Sequence, residues 1–282
     1  MREEPLVTVY IPTYNRRALL ERAVASVLEQ DYRNIELIVV DDGSSDGTRD
    51  FLEQIKSKDS RLKYLNKKGQ RGAPASRNQA ILNSNGYFIT GLDDDDFFKK
   101  DRVSSFVAAW KNDDIALFTD TISISRKGER YKQRKDFVAF KDLLQYNHIG
   151  NQVFTTKERF IQSLFDERLS MWQDLDCWLN MLKSGGHIRC LHKANYCFDT
   201  SHDHERISQK NFFQAKRAWS YVSEKYSLNK EEKIILKNHC YHYKPDRLEL
   251  GYFVDSTLSN TPFSFKKILP RLMLSHLKSR YR

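Results

Sequence analysis

Four consecutive carboxylates, Asp93-Asp94-Asp95-Asp96, follow directly on the apolar stretch Tyr87-Phe88-Ile89-Thr90-Gly91-Leu92. Like charges packed this closely repel one another unless a cation sits among them, and a divalent ion held by oxygens is the usual partner. A solvated acidic turn is the competing reading. It loses ground because two more polar segments occupy the same kind of position: Tyr10-Ile11-Pro12-Thr13-Tyr14-Asn15-Arg16 and Val40-Asp41-Asp42-Gly43-Ser44-Ser45-Asp46-Gly47-Thr48. Carboxylates at such places can accept a hydrogen bond from a base N–H or from ribose hydroxyls, and can hold a metal. Arg71 and Arg77, between the second and third segments, can face phosphate.

The elements that must position these groups read as strands alternating with helices. Leu6 to Ile11 is short and β-branched, hence a strand. Arg17 to Glu29 carries Leu20, Val24, Val27 and Leu28 at helical spacing. Ile35 to Val40 is a continuous apolar run, as in a parallel strand buried on both faces. Asp46 or Ser45 can cap the helix that runs to Lys56. Leu62 to Leu65 is a short strand, Pro74 to Asn83 a helix opened by proline, and Tyr87 to Leu92 the strand leading into the acids. Such alternation predicts a mostly parallel, twisted α/β sheet flanked by helices, with the three polar segments along its carboxyl edge, where open α/β folds bind ligands.

The second half is less regular. Ile115 to Thr119, Ile188 to Leu191 and Asn195 to Phe198 read as strands. Trp172 to Lys183 reads as a helix ended by Gly185-Gly186, and the pattern beyond about Lys210 is helical. With 282 residues and no internal repeat, the simplest partition is one domain over 1–208 and a helical C-terminal extension over 209–282.

Charge adds a separate clue. The net charge is +10, and six basic residues with no acid fall within 263–282 (Lys266, Lys267, Arg271, Lys278, Arg280 and Arg282). Leu269, Leu272, Met273 and Leu277 recur among them at helical spacing. This local concentration points to an anionic membrane surface rather than to nucleic acid, with packing on protein as the alternative. No stretch approaches the roughly 18 apolar residues of a spanning helix, and the N-terminus has no apolar signal region. Four scattered cysteines (Cys177, Cys190, Cys197, Cys240) do not make a disulfide framework. These features predict a reduced, cytoplasmic protein, with the tail as its candidate peripheral attachment to the membrane.

Taken together, Ile11-Pro12-Thr13-Tyr14-Asn15-Arg16, the Val40 to Thr48 loop, Ala75-Ser76-Arg77-Asn78-Gln79-Ala80 and Leu92-Asp93-Asp94-Asp95-Asp96 resemble the family 2 glycosyltransferases of GT-A fold, in order and in separation. The likeness continues through Asn147-His148-Ile149-Gly150-Asn151-Gln152-Val153-Phe154, which is similar to the acceptor-side strand of bacterial exopolysaccharide and lipopolysaccharide enzymes. It reaches Gln173-Asp174-Leu175-Asp176-Cys177-Trp178, which is similar to the catalytic-base segment. The resemblance implies an inverting, metal-dependent hexosyltransferase. Its donor would be a nucleotide-diphospho-sugar, a UDP-sugar being favoured, and its acceptor a hydroxyl of a glycan or lipid-linked saccharide in bacterial surface polysaccharide synthesis.

Residue by residue, the resemblance implies that Asp42 binds the nucleobase in a pocket lined by Pro12 and Tyr14, and that Arg71 lies near the nucleotide. Asp95 holds Mn²⁺ or Mg²⁺, Asp93 holds the ribose or the metal, and Asp94 fills the variable middle position of the acidic motif. Asp174 is the base that takes the acceptor proton, although an Asp opening a helix is also a common N-cap. Gln173 stands where the family often has Glu. His202 is the positional match for a metal or diphosphate contact, with His204 and Arg206 as neighbours.

Three other readings fit less well. A nucleotide-binding oxidoreductase needs a glycine fingerprint where this chain has Pro12-Thr13-Tyr14-Asn15. A sugar-nucleotide pyrophosphorylase would want a glycine- and arginine-rich loop after the first strand. A non-catalytic carbohydrate- or membrane-binding protein on the same scaffold would not need metal, nucleobase and base candidates all in place. His239-Cys240-Tyr241-His242 invites a zinc reading, but no second ligand pair has suitable spacing.

Overall fold

The computed structural model describes residues 4–66, 72–202 and 212–241. In chain order the elements are β1 (Val7–Thr13), α1 (Arg17–Leu28), β2 (Ile35–Asp41), α2 (Thr48–Lys56), β3 (Leu62–Asn66), α3 (Ala73–Leu82), β4 (Phe88–Gly91), β5 (Phe97–Phe98), α4 (Arg102–Ala109), β6 (Leu117–Ser125), β7 (Gly128–Lys132), β8 (Phe137–Val138), α5 (Phe140–Gln145), β9 (Phe154–Thr156), α6 (Lys157–Ile161), α7 (Gln173–Leu182), β10 (Ile188–Asp199), α8 (Phe212–Lys225) and α9 (Lys230–Tyr241).

The strands form one sheet in the order β3-β2-β1-β4-β9-β6-β10-β5, with β7 beside β6 and β8 beside β10. The β3-β2-β1-β4 half is parallel. Every residue of β1, β2 and β4 is buried, as the continuous apolar runs require of strands covered on both faces. Pro12 is tolerated in β1 because it lies opposite Val40 of β2 but beyond the reach of β4, whose pairing ends at Tyr10↔Gly91. The core beneath this half gathers Leu20, Val24 and Val27 of α1, Phe51 and Leu52 of α2, and Phe106 of α4 against Val9, Leu37 and Val39. Each such side chain contributes about 1.5–3 kcal/mol by leaving water.

The other half departs from the sequence expectation. The two strands read at Ile188–Leu191 and Asn195–Phe198 are one strand, β10, parallel to β6. Pairing passes from Leu191↔Thr119 directly to Ala194↔Asp120, so His192 and Lys193 are accommodated in a bulge. The acceptor-side segment Asn147 to Phe154 enters a strand only at Phe154, where β9 runs antiparallel to β4. The Gly185-Gly186 stop is confirmed, both glycines having positive φ (95° and 84°) just after α7.

The chain divides into two units, one comprising Met1–Phe140, His148–Glu167 and Gln173–Asp203, the other Lys141–Asn147, Arg168–Trp172 and His204–Arg282. In the second unit, Trp219 Nε1 donates to the Lys233 carbonyl at 2.8 Å and joins α8 to α9. His239 is buried, with Nε2 3.0 and 3.1 Å from the carbonyl oxygens of Leu143 and Leu144. Carbonyls only accept, so this nitrogen is a donor that ties α9 to α5, and no cluster of metal-ligand side chains among the described residues includes His239. His242 and the basic segment 263–282 lie outside the described residues, as do Arg71, His204 and Arg206. Among the described residues no helix is long and apolar enough to cross a membrane, and the four buried cysteines form no disulfide.

Candidate functional site

Because β1, β2 and β4 are parallel neighbours, the residues that follow each of them emerge at one edge. After β1 the chain turns through Asn15, held at φ 49°, a left-handed conformation that Asn tolerates better than most residues. Its N–H donates to Ser44 Oγ and its side-chain oxygen accepts the Ser45 amide, both at 2.8 Å, so the loops after β1 and β2 are tied together. Asp46 accepts the Thr48 amide at 3.2 Å and the Arg17 amide at 2.9 Å. The residue directly before α2 is Gly47, at φ 84°. Asp46 is therefore a pin between α1 and α2, one position earlier than a regular N-cap. Burial raises its pKa, but these hydrogen bonds, led by the Thr48 hydroxyl, outweigh that and hold it below the ordinary value.

Asp42 is buried. Its amide donates to the Thr13 carbonyl at 3.0 Å, and its Oδ2 accepts the Gly72 amide at 2.7 Å, anchoring the start of α3. Pro12 is buried nearby in sequence, and Tyr14 is exposed.

The four aspartates are sorted by a turn. The Asp96 amide donates to the Asp93 carbonyl at 3.0 Å, which folds the segment back on itself. Asp94 faces β1, accepting Thr13 Oγ1 at 2.9 Å and Arg16 Nη1 at 3.1 Å. Burial, less the effect of Arg16 and augmented by Asp95, pushes its pKa up to about 6. Carboxylate oxygens of Asp93, Asp95 and Asp96 lie within 4.8 Å of one another. Asp95 Oδ2 is 3.4 Å from Arg16 Nη1 and 3.3 Å from His202 Nε2. Asp96 accepts Tyr196 Oη at 2.7 Å and the Asp199 amide at 2.9 Å, and burial followed by the charges of Asp95 and Asp93 holds its pKa well above the carboxylate range. The structure thus brings Asp93, Asp95 and His202 together as the sequence predicts, turns Asp94 away toward Arg16, and adds Asp96 to the group.

Asp93 is the best-held acid. Arg77 Nη2 and Gln152 Nε2 each donate to its Oδ1 at 3.0 Å, and Asn151 Nδ2 donates to Oδ2 at 2.7 Å. Arg77 is buried rather than facing outward to phosphate. Its Nη1 donates to Gln173 Oε1 at 3.1 Å, and its guanidinium lies over the Phe165 ring at 5.2 Å. One side chain therefore joins the acidic edge to the first residue of α7. Asp174, the next residue, is half-buried. Burial raises its pKa, an effect opposed by the Leu175 amide and by Arg77 and reinforced by Asp93. Gly91 belongs to this support: a Cβ there would lie 2.0 Å from Gln152 Oε1 and 2.4 Å from the Tyr10 ring.

Several supporting residues carried no assigned role in the sequence: Arg16, Arg22, Asn151, Gln152, Tyr196 and Asp199. Arg22 Nη2 donates to the Asp95 carbonyl at 2.8 Å and Nη1 to Asp199 Oδ2 at 2.6 Å. Arg16, Asn151 and Gln152 stand inside the motif segments quoted above, and their place there was the signal available for them. Nothing local marks Arg22, Tyr196 or Asp199.

Comparison with known proteins gives a consistent picture. Residues 8–167 match Glycosyl transferase family 2. The Escherichia coli (strain K12) protein WcaA, whose name places it among colanic acid biosynthesis glycosyl transferases, is 36% identical over 217 residues, covering 74% of this chain and 77% of that protein. WfgD of Escherichia coli, named as a UDP-Glc:alpha-D-GlcNAc-diphosphoundecaprenol beta-1,3-glucosyltransferase, is 27% identical over 254 residues, covering 86% and 98%. Among solved structures, S. aureus TarS in complex with UDP-GlcNAc superposes with a TM-score of 0.67 at 18% identity over 90% of this chain and 79% of that one. The mannosyltransferase PcManGT from Pyrobaculum calidifontis, in complex with GDP-Man and Mn²⁺, gives 0.58 at 14% over 96% and 84%.

Proposed function

The chain belongs to glycosyl transferase family 2 and has its GT-A-like fold, and from that premise we propose that the edge formed by β1, β2 and β4 binds a nucleotide-diphospho-sugar whose sugar passes, with inversion, to a hydroxyl of a glycan or lipid-linked saccharide. The observation that carries this reading is the convergence of Arg16, Asp42 and the Asp93–Asp95 pair from three polar segments onto one sheet edge, with Arg77 tying that edge to the helix that opens with Gln173-Asp174. Uridine is the favoured base because WfgD is named for UDP-Glc and TarS is seen with UDP-GlcNAc. Bacterial surface polysaccharide, assembled on a lipid-linked acceptor, is the favoured product because WcaA is named for colanic acid biosynthesis and WfgD for transfer to a diphosphoundecaprenol-linked sugar.

Asp42 accepts from the base N–H, with Pro12 and Tyr14 beside it, and Asp94 lines the nucleotide side together with Arg16. Arg71 and Arg206, which lie outside the described residues, are assigned to the nucleotide. Asp95, Asp93 and Asp96 would hold a divalent ion: their oxygens already lie within 4.8 Å of one another, and an all-oxygen donor set suits Mg²⁺ or Mn²⁺. Bound there, the ion supplies Lewis-acid stabilisation of the charge on a departing diphosphate.

The remaining chemistry falls to the chain. His202, 3.3 Å from Asp95, fixes that carboxylate and faces the diphosphate side. A carboxylate oxygen of Asp174 takes the proton from the attacking hydroxyl. Burial makes Asp174 a stronger base than an exposed aspartate, as proton abstraction from an alcohol requires. Direct displacement needs one base and no protein nucleophile, and it inverts the anomeric centre. The 1–208 segment is assigned this catalysis, and 209–282 is assigned support of it, with the basic 263–282 tail resting on an anionic inner leaflet that carries the acceptor.

The test is a panel of nucleotide-sugar donors incubated with the full-length protein and Mn²⁺ or Mg²⁺, read by released nucleoside diphosphate. Asp95→Ala should abolish release and also abolish the thermal stabilisation that nucleoside diphosphate plus metal confers on the wild type. Full activity in excess chelator would refute the metal assignment. Nucleotide stabilisation undiminished in Asp95→Ala would move the site away from this edge.

A further inference from the structure

A second group of ligand-type side chains lies on β6 and β10. Asp120 is fully buried, Cys190 is buried, and His192 is exposed. His192 Nδ1 is 3.3 Å from Asp120 Oδ2 and 3.9 Å from Cys190 Sγ, and Cys190 Sγ is 3.7 Å from Asp120 Oδ1. On its far side, His192 Nε2 is 3.1 Å from Asp136 Oδ1. We propose that Asp120, Cys190 and His192 form a binding site for a soft divalent cation of the zinc class, separate from the all-oxygen carboxylate edge.

Three observations carry this. The first is spacing. Around a tetrahedral Zn²⁺ with ordinary bond lengths, nitrogen and oxygen donors stand about 3.4 Å apart, and sulfur stands about 3.6 Å from either. The observed separations are of that size, 3.3 Å from Nδ1 to Asp120 Oδ2, 3.9 Å from Nδ1 to Sγ and 3.7 Å from Sγ to Asp120 Oδ1, the carboxylate turning a different oxygen to each partner, and one ligand atom from each of the three residues lies within 4.8 Å of the others. The second is the histidine. Both ring nitrogens face carboxylate oxygens, and a neutral ring can donate to only one of them. Donation from Nε2 to Asp136 leaves the Nδ1 lone pair facing Asp120 and Cys190, an arrangement that a cation between them resolves. It is also the carboxylate–histidine–metal relay by which proteins fix a ligating ring. The third is the backbone. His192 lies in the bulge between the Leu191↔Thr119 and Ala194↔Asp120 pairs, and bulges re-aim side chains at such places.

Uptake balances simply. The Cys190 S–H bond breaks, its proton leaves to solvent, and the sulfur bonds the metal. With Asp120 as carboxylate and Cys190 as thiolate, a divalent ion leaves this largely buried site neutral. Burial, then the Asp120 carboxylate, pushes the free thiol pKa up, and a bound cation reverses that by taking the thiolate directly. Three protein donors leave a fourth position, on the exposed His192 side, for water. The ion would clamp β10 to β6 upstream of Tyr196 and Asp199, which hold Asp96 at the acidic edge. Its role is therefore a brace.

The experiment uses tag-free, full-length protein stripped with chelator and then held in excess Mg²⁺ to occupy the oxygen-only edge. Titration with Co²⁺ should give one equivalent with a thiolate-to-cobalt charge-transfer band and tetrahedral d–d bands, all displaced by Zn²⁺. Cys190→Ser and, independently, His192→Ala should lose the charge-transfer band or shift it markedly, whereas Asp95→Ala should keep it. Zn²⁺ at a hundredfold excess over Kd should raise the wild-type unfolding midpoint by about 5 °C and leave Cys190→Ser unmoved. No thiolate band in the wild type overturns the proposal. So does an unchanged band in Cys190→Ser, which would place the ion on another cysteine. If Cys190→Ser fails to fold, His192→Ala, altered at an exposed side chain, decides.

Discussion

Replacing Arg77 should separate the acidic edge from the helix that opens with Gln173-Asp174 more cleanly than replacing any acid. The side chain is 9% exposed and makes two directed bonds, one to Asp93 and one to Gln173. Arg77→Met keeps the stem over Phe165 but removes the charge and both bonds. A hydrogen bond to a charged partner is worth about 1.5–3 kcal/mol, one between neutral groups about 1, and stripping one member from a buried ion pair costs about 3–5 in total. Asp93 is 23% exposed on its side chain and keeps two amide donors from Asn151 and Gln152. The lower end, about 3 kcal/mol, is therefore expected. Arg77→Lys retains the charge but cannot span both partners, so about 1–2 kcal/mol is expected.

Urea unfolding with fixed slope measures both variants, and a cycle with Asp93→Asn isolates the pair. The double variant should recover about 1–2 kcal/mol, because the orphaned carboxylate is gone. Activity should fall in both single variants through kcat, since Asp174 is positioned from Gln173. A midpoint for Arg77→Met within about 0.5 kcal/mol of wild type, or zero coupling to Asp93, would refute the reasoning that this guanidinium holds the edge to α7.

Other outcomes follow from the same geometry. Asp174→Asn should lower turnover by roughly 10²–10⁴ while leaving nucleotide affinity little changed, and collapse of donor binding in calorimetry would make the residue structural. Glu36, buried on β2, accepts Thr8 Oγ1 at 2.8 Å, the Asn85 amide at 2.8 Å and Lys63 Nζ; burial raises its pKa, but these bonds together hold it below the ordinary 4.5. A depressed carboxylate stabilises the fold above its unfolded pKa and loses that contribution as pH falls through the folded value, so Glu36→Gln should be destabilised by about 1–2 kcal/mol at pH 7 and should converge with wild type below pH 4.5 in urea midpoints taken across pH. The full-length protein should sediment with anionic but not neutral liposomes in a salt-sensitive way, and a chain ending at Pro262 that sediments equally well would remove the tail as the anchor.

The half of the fold that could be read from sequence is the half with one physical rule. Strands buried on both faces, β1 and β2, appear as unbroken apolar runs, and each is followed by an amphipathic helix, so a parallel sheet is the consistent solution. The other half obeys no single period. β7, Gly128 to Lys132, is exposed throughout and owes its strand conformation to pairing with β6. β10 looks like two strands because His192 and Lys193 interrupt its pattern, and only the pairing to β6 on both sides of the bulge shows that the chain continues. The short strands β5, β8 and β9 exist where longer neighbours offer an edge, which no local pattern encodes.

The site shows the same division. That acids gather at the end of a buried strand was legible; how they share the space was not. Spacing alone pairs Asp93 with Asp95 and treats Asp96 as the next residue along. The 93–96 turn sets Asp96 back against Asp93, and Tyr196 with the Asp199 amide then fixes it there, from a strand about a hundred residues away. The balancing cations are equally remote. Arg16 serves Asp94 and Asp95, Arg77 serves Asp93, and Arg22 serves the Asp95 carbonyl and Asp199. Three arginines from the first and third helical segments thus offset the repulsion among four adjacent carboxylates before any metal arrives. The frame of the site is therefore built by the fold itself. A divalent ion entering it would complete an electrostatic arrangement already in place.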